Sequence, residues 1–203
     1  MNDQVTEVQA KILAAAKSEF ARHGLKGARV RGIAAKAGVT AAMINYYYRS
    51  KKALHAAVVD EAMNRLAERL GNIWFAERLM EQNTDLMAGR LAGAYFDFLC
   101  EEQQLQQLLM REILDQGQAV SGFVHRYVTP MRSLWRSRLP PERADLLEQA
   151  GISIFGAIAG YFLYSPMLGD LLGKEPLSPE TLSMRRRHIV DLASRVVSSA
   201  SNS

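Results

Sequence analysis

Nineteen residues, 30–48, constrain this chain more than any others in it: VRGIAAKAGVTAAMINYYY. They read as two short helices meeting at a tight corner, and such a corner makes demands at each offset. Ile33 must be apolar to hold the first helix on a core, and Ala34 must be small where the second helix crosses steeply. Ala37 is expected to be buried as well. Gly38 takes a turn conformation that a side chain resists. Val39 plugs the space beneath the turn, while Ile44 and Tyr47 lay the inner face of the second helix on the first. A single Ala…Gly match would not separate a helix-turn-helix from an ordinary helical hairpin. Seven positions meeting the demands together do.

The rest of the chain reads as helix too, with no sustained period-two alternation between hairpin turns. A first helix is predicted over 7–23, with Thr6 and Gln9 at capping-box spacing, Ile12, Ala16 and Phe20 four apart, and Gly24 as its stop. Ser50 caps a long helix from Lys51, with Leu54, Val58 and Ala62 on one face. Further helices are predicted over 84–101, 103–114, 120–139, 143–172 and 179–199, the third of these split by Pro130. The fold class is therefore all-α: a helix-turn-helix domain at 1–54, joined by the long helix to a helical body at 55–203, which the resemblance named below makes a regulatory and dimerisation domain.

Charge sharpens this reading. Residues 1–54 hold ten Lys/Arg against three Asp/Glu, a net of +7, while the remaining residues sum to −3. A basic head on a mildly acidic body suits a polyanionic partner. Cys100 is the one cysteine, so no intramolecular disulfide forms and a reducing compartment fits. His23, His55, His125 and His188 lie far apart without metal-ligand spacing, so no metal and no cofactor are expected. The N-terminus MNDQVTEVQ lacks the order of a signal peptide. The apolar run 150–164 is shorter than the ~18–20 residues that span a bilayer, so it is read as a buried helix. A cytoplasmic protein is expected, with no membrane partner.

In these residues the chain resembles the TetR/AcrR family of bacterial regulators. The resemblance rests on ILAAAKSEFARHG at 12–24, RVRGIAAKAGVTAAMINYYY at 29–48 and SKKAL at 50–54, about a quarter of the chain. It implies that the second short helix enters the major groove of operator DNA. Thr40, Ala41, Ala42 and Met43 would then face the groove or its rim, and Asn45 and Tyr46 would continue that surface. Tyr47 and Lys51 match phosphate-touching positions of the family, and Arg29 and Arg31 would reach phosphate or a base edge. The sequence departs from the pattern where Thr or Ser is common at Ala28 and Arg29, Gly at Ala42, and Tyr at Asn45. Asn45 pairs well with adenine and Arg31 with guanine, which makes them the expected base readers. Tyr48 is expected in the core, and Arg49 and Lys52 as solvated charges.

In the body, Phe96, Met110, Arg111, Phe123, Tyr127, Met131, Trp135 and Phe155 are candidates for a pocket taking a small, largely apolar effector. Plain packing is the competing reading for each. The resemblance also implies a homodimer through the last two long helices, here 147–163 and the final helix, including Gly156, Gly160, Ile189, Leu192 and Val196. The function expected is a sequence-specific DNA-binding transcriptional regulator, a repressor released by its effector. The alternative is a DNA-binding adaptor or chromosome-organising protein whose body binds a protein and no small ligand. No Gly-x-Ser-x-Gly, phosphate-cradling glycine loop or clustered Ser/His/Asp set is present, so an enzyme is not expected.

Overall fold

The computed structural model describes residues 2–79, 84–114, 122, 124–137 and 139–202. Among them every regular element is helical: α1 (Asn2–Gly27), α2 (Val30–Ala37), α3 (Ala41–Tyr48), α4 (Lys51–Leu79), α5 (Thr84–Glu101), α6 (Gln103–Leu114), a π-helical turn (Val124–Val128), α7 (Thr129–Arg136), α8 (Pro141–Leu163), α9 (Ser165–Leu172) and α10 (Pro179–Asn202). The chain divides into two compact units, Met1–Arg65 with Glu102–Val124, and Leu66–Glu101 with His125–Ser203. The unit holding the helix-turn-helix thus takes in 55–65 and α6 as well as residues 1–54.

That first unit is built on α1, which packs against α2 and α6. Ile12, Ala16 and Phe20 of α1 are fully buried, with Ile33 of α2, Ile44 of α3, Leu54 and Val58 of α4, and Leu105 and Leu108 of α6. The four-residue spacing read from the sequence is this buried stripe. α1 begins at Asn2, so Thr6 lies inside the helix and not at its N-cap. Gly24 (φ 66°) does interrupt it, and a short helical piece continues to Gly27. Glu102, just before α6, pairs with Lys17 of α1 at 2.8 Å and with Arg65 of α4 at 2.7 Å. Burial by itself raises the Glu102 pKa, but Lys17 and Arg65 together outweigh it and hold the carboxyl below its usual value.

His55 lies in the same core, its ring edge-on to Phe20 at 4.7 Å. Burial lowers its pKa from the usual 6.5. A buried imidazole that is neutral when folded and protonates more readily when unfolded ties stability to pH. Its contribution is complete above about pH 6.5 and is lost as pH falls through the lower folded-state value. The melting temperature is therefore expected to drop between pH 7 and pH 5, and less steeply in His55→Gln. Equal slopes for the two proteins would contradict it.

In the second unit α10 packs along α5 and on α8. Phe96, Leu99, Ile158, Tyr161, Phe162, Ile189 and Ala193 form its core. The Phe96 ring lies 5.3 Å from Phe162 and 6.3 Å from Tyr161. The Tyr161 hydroxyl donates to the Pro176 carbonyl at 2.5 Å. Two bidentate pairs tie helices together: Arg186 to Asp97 at 2.7 and 2.8 Å, and Arg132 to Glu148 at 2.7 and 3.0 Å. The close helix approach occurs at Gly89 and Gly93 of α5. A β-carbon on Gly89 would stand 2.6 Å from Ser194 Oγ and 3.1 Å from the Val190 carbonyl.

Two expected elements differ. Pro130 stands near the start of α7, where a missing N–H is harmless, and the preceding turn is π-helical. The single helix expected over 143–172 breaks at Tyr164, and Pro166 opens α9. The apolar run 150–164 therefore sits in α8, which at 23 residues is long and apolar enough to cross a membrane by length and composition, contrary to the expectation from the run alone. Yet α8 opens with Glu142, Arg143, Asp145 and Glu148 and packs on α5 and α10.

Candidate nucleic-acid interface

The corner between α2 and α3 is set by backbone bonds. Gly38 takes the left-handed conformation (φ 68°, ψ 31°), and the Val39 N–H donates to the Ala34 carbonyl at 3.0 Å. Gly38 has open space around it, so its conformation and not its size is what requires glycine. Thr40 is the N-cap of α3, its Oγ1 accepting the Met43 N–H at 3.2 Å. Ile33, Ala34 and Ile44 are buried as expected, while Ala37 and Val39 are only half-buried.

Ile44 turns one side of α3 inward, so Ala42, Asn45 and Tyr46 face outward. Tyr46 is 81% exposed and meets the Tyr47 ring edge-on at 5.2 Å. Thr40, Arg29 and Arg31 are exposed, and Ala41, Met43, Tyr47 and Lys51 are half-buried. Tyr48, expected in the core, is half-buried, and its pKa is raised by burial and by Glu61 and Tyr47. The expected contact residues thus gather around one corner, and Thr40 spends an acceptor on its own helix.

Lys51 has a role the sequence did not reveal. Its Nζ donates to the Lys26 and Ala28 carbonyls, each at 3.1 Å, so it anchors the segment that leads into α2. An ammonium has three donors, which leaves one for an outside acceptor. Nearby, the Arg29 N–H donates to Glu19 at 3.3 Å and Lys36 to Ser18 at 2.5 Å. Between Glu19 and Asp60 the chain carries eight Lys/Arg and no Asp/Glu. The segments around α3 therefore carry an excess of positive charge.

A capped helix held by a glycine turn, with an open outward side and basic residues in the segments that flank it, is the arrangement of a helix-turn-helix. Residues 12–58 match the pattern of the tetR family of bacterial regulatory proteins. The HTH-type transcriptional repressor SCO4008 of Streptomyces coelicolor is 46% identical over 59 residues, which cover 29% of this chain and 31% of that protein. The likeness therefore spans about a third of that relative's length. Among solved structures, a TetR-like transcriptional regulator from Rhodococcus sp. RHA1 is similar with a TM-score of 0.66 at 19% identity, covering 94% of this chain and 96% of that one. FadR from Bacillus subtilis, solved in complex with stearoyl-CoA, has a TM-score of 0.65 at 18% identity, covering 91% and 97%. These two likenesses are of fold.

Of the residues expected in a pocket, Phe96 and Phe155 belong to the second unit and Met110 and Arg111 to the first. Phe96 is packed in the core of the second unit. Phe155 is half exposed on α8 and stacks on Tyr95 at 5.8 Å. Met110 is buried in the first unit, and Arg111 is exposed there, donating to the Arg22 carbonyl near the end of α1 at 3.4 Å. Phe123 and the side chains of Tyr127, Met131 and Trp135 lie outside the described residues. Among the residues expected between two copies, Ile189 is fully buried in its own chain, on the stripe with Ala193 and Val197. Leu192 and Val196 flank that stripe and are half-buried. Gly156 is exposed with open space above it, and Gly160 meets only the Tyr164 ring, at 3.7 Å.

Proposed function

We propose that the protein is a sequence-specific DNA-binding repressor of transcription that acts as a homodimer and is released from its operator by a small, largely apolar effector. The observation that carries this is the outward face of α3, with Ala42, Asn45 and Tyr46 exposed inside a forty-residue stretch free of acidic side chains. Phosphate contacts from Arg29, Arg31, Tyr47 and the remaining donor of Lys51 would position the head, and Asn45 would read a base. Ala41, Ala42 and Met43 offer only apolar contact, so DNA shape carries part of the selectivity.

The dimer surface is best supported on α8. Ile152 is 63% and Phe155 50% exposed beside the open Gly156. A second copy covers such a face more naturally than lipid does, given the charged first turns of α8. The effector class is suggested by the aromatic body and by the acyl ligand of FadR in that protein's structure. Whatever it is, it must bind two conformations unequally or it shifts nothing. A cytoplasmic setting suits Cys100, whose thiol is pushed up to about 11, first by burial and then by Asp97 and Glu101, and is thereby unreactive.

The reading is tested on DNA fragments from the gene's own surroundings. Lys51→Ala with Tyr47→Ala is expected to weaken binding at least about thirtyfold and to flatten its salt dependence. Asn45→Ala is expected to lose preference at one base pair per half-site, worth about 1–3 kcal/mol. Unchanged preference at every position would remove Asn45 from base readout.

A further inference from the structure

Arg49 sits where the chain leaves α3, with φ 58° and ψ −32°. Among the described residues it is the one non-glycine with a positive φ, and the other three such positions, 24, 38 and 173, are glycine. Its N–H donates to the Asn45 carbonyl at 2.9 Å, and the next N–H, of Ser50, donates to the Tyr48 carbonyl at 2.6 Å. A bond from residue i+2 back to residue i around a positive-φ residue is a γ-turn of the rare, strained hand. Glycine would take this conformation without crowding. Arginine stands there instead.

The turn and its cap need the backbone of residue 49 and not an arginine side chain. Arg49 is exposed, and its guanidinium makes no hydrogen bond or ion pair among the described residues. By contrast, Arg65, Arg69, Arg132, Arg136, Arg186 and Arg195 each pair with a carboxylate. The nearest acidic residues along the chain are Glu19 and Asp60. A residue held at positive φ where glycine would serve, with a side chain that engages nothing among the described residues, points to a task for that side chain outside the fold.

We infer that Arg49 is a phosphate-binding residue of the DNA interface, gripping the backbone strand beside the groove that α3 enters. It sits one turn beyond Asn45 and two residues before Lys51. The fork of a guanidinium suits a phosphate better than a single ammonium point charge does. This inference rests on the DNA-binding reading above and adds a residue to it.

The test uses the full chain and a duplex of roughly 30 bp that the unmodified protein selects from random-sequence DNA. In Arg49→Gly, affinity is expected to fall about five- to tenfold at about 0.15 M salt, and the log–log salt slope by about 1 per protomer. Its melting temperature is expected to stay the same or rise by up to about 3 °C, because the turn relaxes. Arg49→Lys should bind within about threefold of the unmodified protein, and Arg49→Gln should lose affinity like the glycine variant. Gain or retention of stability with loss of affinity separates a DNA contact from a structural role. The inference is overturned if Arg49→Gly binds with unchanged affinity and slope, or if it melts several degrees lower. If the unmodified protein selects no duplex, the DNA-binding reading falls and this inference with it.

Discussion

Ile152→Glu combined with Phe155→Glu is expected to turn the proposed dimer into a folded monomer and to weaken operator binding at least a hundredfold. Both side chains stand on the outward face of α8, where the single chain leaves them 63% and 50% exposed. Neither therefore holds the fold of its own chain beyond the Tyr95–Phe155 stack. Two carboxylates per copy, facing their counterparts across a two-fold interface, would have to be desolvated against like charge. A monomer keeps one recognition helix and loses the effective concentration of the second, a factor of about 10²–10⁴. Sedimentation of the variant checks the first claim, and circular dichroism checks that the helices survive. A variant that still sediments as a dimer would place the interface elsewhere.

The second large effect belongs to the head. Phe20→Ala is expected to lower the unfolding free energy by about 3–5 kcal/mol. Phe20 is 0% exposed and meets His55 edge-on. Its removal would open a cavity under α1, α2 and α4, whose inward residues Ile12, Ile33 and Leu54 are also fully buried. In a protein of this size that corresponds to a drop in melting temperature on the order of 10 °C. DNA binding should fall with it, because α3 is held by the same core. A loss below about 1 kcal/mol would show that neighbours collapse into the space and that the head is less tightly packed than described.

The helix-turn-helix was legible because each of its demands is local. Gly38 needs a left-handed turn, Ala34 a small side chain, and Ile33 and Ile44 an apolar surface, and all four are satisfied within twelve residues. Ser50 was legible as a cap for the same reason, and its Oγ accepts the Ala53 N–H at 3.0 Å. What failed was long-range. The chain has three Gly-x-x-x-Gly pairs, Gly89/Gly93, Gly156/Gly160 and Gly169/Gly173, and the residues between them do not say which one another helix crosses. The structure places α10 over the first pair and leaves Gly156 open. Lys51 reads as a phosphate ligand from its neighbours alone, and only the folded chain brings the Lys26 and Ala28 carbonyls to it. Glu102 gave no signal at all, since its partners Lys17 and Arg65 are far from it in sequence. Ile189, Leu192 and Val196 lie on one side of the last helix, since positions i, i+3 and i+7 fall within about 60° of one another at 100° per residue. Burial separates fully buried Ile189 from half-buried Leu192 and Val196.

The central claim is that this helix-turn-helix reads a DNA sequence as a two-fold pair. Its most direct test is selection from random-sequence duplex DNA by the full-length protein at about 0.15 M salt, followed by binding to the winners over a range of salt. The expected outcome is a pseudopalindrome with half-site centres about 34–36 Å apart and an affinity that falls linearly with salt on a log–log scale. A pool that stays random after repeated rounds, with only weak and sequence-blind binding, would contradict it.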